Sequence, residues 1–300
     1  MNVDFDWLAN AFAADRYICG PEVLMPVYLA LRLEKPLLVE GAPGVGKTEI
    51  AKVLARVLGL ELIRLQCYEG LDEPRALYEW NYQRQLLRIQ VGQTAAAPAP
   101  EGLPAELFSE DYLLARPLLQ AIRSEERPVL LIDEVDKVDE AFEAFLFELL
   151  SDFQVSVPEL GTLAARQVPV VVLTSNSERD LSDGLKRRCV YLFIDFPTPE
   201  QETAIIRAKA PEVSMDLARQ IAEAIAHLRR GDDVRKKPSI AETLDWARAL
   251  AGLGVAELTA DLVWETAGLV LKSQADHEAL RRELATGGLA RMVNGGDAQR

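Results

Sequence analysis

"GAPGVGKT", residues 41–48, governs how the rest of this chain is read. It fits the pattern G-x-x-x-x-G-K-[ST]. It stands between an apolar run, Pro36 to Glu40, and a stretch where Ile50, Val53, Leu54, Val57 and Leu58 recur with helical period. Strand, glycine-rich turn and helix in that order make an anion cradle. Glycines let the backbone turn tightly and aim N–H groups at phosphate oxygens, and the helix that follows directs its positive end at the same charge. In such a loop Gly41, Ala42, Pro43, Gly44, Val45 and Gly46 supply backbone, Lys47 reaches the β- and γ-phosphates, and Thr48 offers a hydroxyl to Mg2+.

Outward from the loop, short apolar runs at Glu61 to Leu65, Val129 to Asp133, Val170 to Thr174 and Val190 to Ile194 read as buried strands. Phe142, Phe145, Leu146, Leu149 and Leu150 follow the helical period. This alternation predicts an α/β fold, a parallel sheet covered by helices on both faces. The stretch RPVLLIDEVDKVDE, residues 127–140, ends its strand on Asp133 and Glu134, at the edge where open parallel sheets hold ligands. Asp133 is therefore expected in the Mg2+ shell and Glu134 as the general base that polarises an attacking water. A kinase would want its base on a second substrate instead. Asp136, Asp139 and Glu140 are expected to be a solvated turn and helix start, where acidic residues suit the helix dipole.

The pattern changes near Phe196. Two prolines in FPTPEQE close the last strand, and Thr198, Pro199 and Gln201 form an N-cap, a first-turn proline and a capping box. Ser239 with Glu242 makes a second capping box and Thr259 a further cap. Residues 1–198 are thus expected as the nucleotide-binding domain, 199–285 as a small all-helical domain and 286–300 as a flexible tail. Residues 91–104, VGQTAAAPAPEGLP, read as a loop or insertion. The net charge of −14 argues against broad nucleic-acid or anionic-membrane binding. The opening MNVDFDWLANAFAADRY is acidic, unlike a leader, and no run is long enough to span a membrane. Cys19, Cys67 and Cys189 lie far apart and fit reduced thiols of a cytoplasmic protein, and two histidines without a cysteine cluster give no zinc site.

Beyond these motifs, VVVLTSN (170–176) ends a strand on polar Asn176, and LSDGLKRRC (181–189) precedes another strand. That order resembles the AAA+ ATPases: Walker A, Walker B, sensor 1, arginine finger and helical lid. The stretch ELLSDFQVSVPELGT (148–162) is similar to the helix-to-hairpin insertion of the MoxR branch, placed here at about 150–163, and CYEGLDEPRALYEWNYQRQLL (67–87) resembles its CoxD-like members. The resemblance implies binding and hydrolysis of ATP with Mg2+, with Asn176 as sensor 1 placing the lytic water. Arg188, beside Arg187, would be a finger serving the neighbouring subunit of a homo-oligomeric ring, commonly a hexamer. It also implies a remodelling chaperone whose partners are a protein with a von Willebrand factor A domain and a client metalloenzyme, a molybdenum hydroxylase related to carbon monoxide dehydrogenase. In KKPSIAE (236–242) the chain departs from the pattern: Lys237 stands where the sensor 2 arginine is usual, with Arg235 or Lys236 as substitutes. Lysine lacks the bidentate fork. Tyr17 and Ile18 fall where the family lines its adenine site. The alternating Tyr78, Trp80 and Tyr82 either grip a client chain or pack on the sheet or the next subunit. Two other functions fit the same motifs: a nucleotide-gated scaffold without turnover, and a nucleic-acid-associated subunit.

Overall fold

The computed structural model describes residues 3–94, 109–157 and 161–286. In chain order they form α1 (Phe5–Ala14), α2 (Pro21–Leu33), β1 (Leu37–Gly41), α3 (Lys47–Leu58), β2 (Leu62–Gln66), α4 (Glu73–Ala76), β3 (Tyr78–Trp80) and α5 (Tyr82–Thr94). Next come β4 (Leu113–Ala115), α6 (Pro117–Arg123), β5 (Val129–Asp133), α7 (Glu140–Asp152), β6 (Gln154–Val157), β7 (Gly161–Ala164), β8 (Val170–Ser175), α8 (Asp183–Arg188) and β9 (Val190–Ile194). Helices α9 (Pro199–Lys209), α10 (Met215–Arg230), α11 (Ile240–Gly252), α12 (Ala260–Thr266) and α13 (Gln274–Thr286) follow. The chain divides into two compact units, one of Met1–Leu8, Glu22–Glu40 and Lys47–Phe193, the other of Ala9–Pro21, Gly41–Gly46 and Ile194–Arg300.

The first unit is built on a five-stranded sheet of order β2-β5-β8-β1-β9, with parallel pairing between β2 and β5, β5 and β8, and β8 and β1. The central strands explain why their sequences are continuous apolar runs. β5 and β8 are buried along their whole length, because helices cover both faces and no position is left for a solvent-facing residue. α3 presents Ile50, Val53 and Leu54 to the sheet, and α7 presents Phe142, Leu146, Leu149 and Leu150. Two small antiparallel pairs decorate this layer, β3 with β4 and the hairpin β6–β7, in which Val155 and Val157 turn inward.

One sequence expectation is corrected here. Residues 91–94 are not loop, because α5 continues through them. The run QRQLLRIQ before them is made of good helix formers with no breaker, so the helix propagates into the Ala/Pro/Gly-rich stretch. The remainder of that stretch, and the tail from residue 287, lie outside the described residues.

The helices of the second unit start where capping chemistry puts them. Both capping boxes are made: the Thr198 and Ser239 hydroxyls accept from the N–H of Gln201 and Glu242, whose side chains accept from the N–H of Thr198 and Ser239. Thr259 caps α12 by accepting from Leu262. The core packs Leu217, Ile221, Ile225 and Leu228 of the amphipathic α10 against Trp246 and Leu250 of α11.

Inside this bundle Arg229 forks across Glu202, Nη1 to Oε2 at 2.5 Å and Nη2 to Oε1 at 3.0 Å, with side chains 6% and 0% exposed. The same guanidinium lies 4.4 Å over the Phe196 ring and donates to the Pro238 carbonyl. Burial pushes the Glu202 carboxyl up, against the pull of Arg229 and a hydrogen bond from Thr243. Breaking such a pair from one side strands a charge, whereas replacing both partners by apolar groups of similar size does not. Arg229→Ala should therefore cost about 3–5 kcal/mol in urea unfolding followed by circular dichroism, and Glu202→Leu combined with Arg229→Met should recover most of it.

Candidate functional site

The carboxyl ends of β5 and β8, the adjoining β2 and the first turn of α3 converge on Asp133. Its side chain is 5% exposed and both oxygens are engaged. Oδ1 accepts from the Thr48 hydroxyl at 2.9 Å and the Thr174 hydroxyl at 2.5 Å. Oδ2 accepts from Arg64 Nε at 3.1 Å and Nη2 at 2.5 Å. Strand register makes this possible. Gln66 lies opposite Asp133 and Arg64 opposite Leu131, so Arg64, Gln66 and Asp133 share one face of the sheet.

The Thr174 hydroxyl works in both directions, donating to Asp133 and accepting from the Glu134 N–H at 2.9 Å. That second bond pins Glu134 in the left-handed region, φ 58° and ψ 49°, which costs a non-glycine residue about 1–2 kcal/mol. The chain breaks away from β5 at this point. The Glu134 carboxylate has no hydrogen bond among the described residues and is half-buried.

Lys47 is buried, and its Nζ donates to Asn176 Oδ1 at 2.8 Å. Burial lowers the ammonium's pKa, against the raising influence of Asp136, Asp133 and Glu134. The Cys67 thiol reports the same negative field: burial first, then these three carboxylates, push it up to about 12.

Asp136 departs from the solvated turn expected of it. It is 4% exposed, and Oδ2 accepts from the N–H of both Asn176 and Glu178 at 3.0 Å, fixing the turn after β8. Its Oδ1 is buried without a hydrogen bond. Asp139 does cap α7, accepting from Phe142. Arg64 and Thr174, to which sequence reading gave no role, and Asp136, which it assigned to solvent, each carry a weak signal: a polar residue set in or beside an apolar strand run.

The remaining candidate residues sit within their own units. Arg188 lies with its guanidinium carbon 3.6 Å from the centre of the Phe147 ring and donates from Nε to Ser151 of α7, while Arg187 is exposed. Lys237 donates to the Gly231 carbonyl. Tyr17 packs edge-on to Phe12 and Ile18 is exposed. Trp80 and Tyr78 pack on the core of the first unit, while Tyr82 is 61% exposed. With Tyr68, Glu73 and Arg116 these three line a cavity of about 670 Å³.

Within the second unit the glycine loop has no room for side chains at two positions. A Cβ on Gly41 would meet the Ile194 carbonyl oxygen at 2.1 Å, and one on Gly44, φ +79°, would meet Ser239 Cβ at 2.2 Å. The Ile240 N–H also donates to the Gly44 carbonyl at 3.1 Å.

These residues fit a hydrated divalent cation and a polyphosphate. Thr48 and Asp133 place two hard oxygen donors side by side, the donor set that Mg2+ takes in phosphate sites. A buried ammonium stands one residue away, and Asp136 adds a buried oxygen without a hydrogen bond. Among the described residues no cluster of histidine, cysteine and carboxylate offers a self-sufficient metal site, and no helix is long and apolar enough to cross a membrane.

Comparison with known proteins bears on the family and the fold. The model of the ATPase family associated with various cellular activities (AAA) matches residues 37–197. The fold is similar to a structure of the Thermotoga maritima RuvB Holliday junction branch migration motor, with TM-score 0.52 and 19% identity over 91% of this chain and 77% of that one. Two further forms of Thermotoga maritima RuvB align with TM-scores of 0.52 and 0.50, at 21% and 20% identity, over 91% and 90% of this chain and 77% and 76% of theirs. At these identities the likeness is one of fold.

Asp136→Ala should remove the shared acceptor of the Asn176 and Glu178 N–H groups and destabilise the protein by about 2–3 kcal/mol in urea denaturation. Asp136→Asn, which keeps one carbonyl acceptor, should lose less.

Proposed function

The chain belongs to the AAA family of ATPases, and from that premise we propose that it hydrolyses ATP to ADP and phosphate. The observation that carries this reading is the convergence of Lys47, Thr48, Asp133, Glu134 and Asn176, residues from three segments of the sequence, in two hydrogen-bonded groups joined through the neighbours Lys47 and Thr48. As the glycine-rich motif implies, backbone N–H groups of the loop, Pro43 excepted, would meet the phosphates, Lys47 would give its ammonium to the β- and γ-oxygens, and Thr48 with Asp133 would hold Mg2+. When bound, the ion would supply neutralisation of charge on the phosphate oxygens.

Glu134 is the base. Its carboxylate takes a proton from water as the water oxygen bonds to the γ-phosphorus, and the bond to the β–γ bridging oxygen breaks with its electron pair leaving on ADP. The left-handed backbone aims the residue away from the strand, and Thr174 holds it there. Asn176 exchanges its bond to Lys47 for one to the water or the γ-phosphate, with its backbone kept still by Asp136. Arg188 acts on the site of a neighbouring subunit in a homo-oligomeric ring, commonly a hexamer. Its ordered rest position on Phe147 and Ser151 supports a preset guanidinium.

The finer reading is a remodelling chaperone of the MoxR type in the cytoplasm. It rests on the resemblance of residues 67–87 and 148–162 to that branch. On that ground its partners are a von Willebrand factor A-domain protein and a client metalloenzyme, a molybdenum hydroxylase such as carbon monoxide dehydrogenase. Capture of partners by a Glu134→Gln trap in ATP, identified by mass spectrometry, tests this; recovery of neither partner class ends the assignment.

For the chemistry, Glu134→Gln should retain ATP affinity in a fluorescent-nucleotide titration while turnover falls about 10²- to 10⁴-fold. Wild-type turnover in that variant removes Glu134 from the role of base. Mixing Lys47→Ala with Arg188→Ala subunits should restore some activity to both inactive proteins. Restoration with Arg187→Ala instead transfers the finger to the neighbouring guanidinium.

A further inference from the structure

Two arginine–carboxylate pairs in this chain look alike on paper and differ physically. In Arg229–Glu202 both side chains are buried, 6% and 0% exposed, so neither partner can leave without stranding a charge. In Arg64–Asp133 the aspartate side chain is 5% exposed but the arginine side chain is 48% exposed. Asp133 depends on the pair, while Arg64 loses little by returning to water.

Arg64 also has a second acceptor within reach. Its Nη2 donates to Gln66 Oε1, two residues along the same face of β2. Its grip on Asp133 covers only Oδ2, while the hydroxyls of Thr48 and Thr174 hold Oδ1. The half of the carboxylate that is not used to orient Thr48 is thus the half held by a displaceable cation.

We infer that Arg64 is an internal counter-cation of the metal site. It keeps the buried Asp133 carboxylate paired when no divalent ion is bound, and it is exchanged for the ion when metal and nucleotide enter, moving out along β2 towards Gln66. This rests on the reading of Thr48 and Asp133 as the Mg2+ site and adds to it a residue that opposes metal loading. A guanidinium and a hydrated divalent ion compete for Oδ2 and repel each other, so metal affinity is held below what Thr48 and Asp133 alone would give. The alternative, in which Arg64 merely orients Asp133, has the opposite sign: without Arg64 the carboxylate loses its aim and the metal binds less well.

The experiment uses the full chain with ADP and Mn2+, reading free hexaaquo-Mn2+ by electron paramagnetic resonance, so that no turnover is needed. In Arg64→Ala the apparent Mn2+ affinity should tighten about three- to tenfold, with Arg64→Lys between it and the wild type. Thermal unfolding in chelator should show Arg64→Ala folded but less stable than wild type, and Mn2+ with ADP should raise its melting temperature by more than it raises that of wild type. Unchanged or weaker Mn2+ binding in a folded Arg64→Ala protein overturns the counter-cation. If Arg64→Ala does not fold, weaker or unchanged binding in Arg64→Lys overturns it equally, and tighter binding supports it. Wild type that binds ADP but no Mn2+ overturns the metal-site reading itself, and with it the counter-cation.

Discussion

A carboxylate removed from water must be paired or lose its charge, and most of the first unit's geometry near the sheet edge follows from how Asp133 meets that constraint. Four donor atoms from three other segments close on it: the hydroxyls of Thr48 and Thr174 on one oxygen, and two nitrogens of Arg64 on the other. Each contact fixes more than the aspartate. Thr48 is the second residue of α3, so its bond sets where that helix begins relative to β5. Thr174 passes the constraint to Glu134, whose left-handed backbone would otherwise relax.

A second buried aspartate does for the backbone what the first does for side chains. Asp136 gathers two N–H groups of the turn after β8 and thereby holds Asn176 where its amide oxygen meets Lys47. Three carboxylates around one buried ammonium make a site whose field is negative. Such a field favours a divalent cation.

The second unit solves its electrostatics differently. Arg229 and Glu202 are locked together in the bundle interior, with Phe196 stacked on the guanidinium and Pro238 accepting from it. The pair ties α9, α10 and the approach to α11 in one arrangement. α11 in turn begins at Ser239, against which Gly44 has no space for a side chain. Rigidity there comes from a pair neither of whose members can leave, while exchange at Asp133 depends on one member that can.

The amino-acid sequence alone determined the parallel sheet and the helices that carry the core, because a strand covered on both faces must be apolar throughout, as β5 and β8 are, and because α3 and α7 repeat with a period of 3.6. It determined the helix starts at Thr198 and Ser239, since a capping box is complete within four residues. It also singled out Lys47, Thr48, Asp133, Glu134 and Asn176, whose signals are local: a glycine pattern, or a polar residue at the end of an apolar run. Only the tertiary structure decided the partners of those residues. Arg64 looks like any alternating strand residue until the register of β2 against β5 puts it on Asp133. Asp136 reads as a solvated helix start until the turn after β8 folds over it. Arg188 was placed on Phe147 by packing that no nearby residue announces. The division follows from range: capping and periodicity act within a few residues, whereas a buried charge is neutralised by whichever distant group the fold delivers to it.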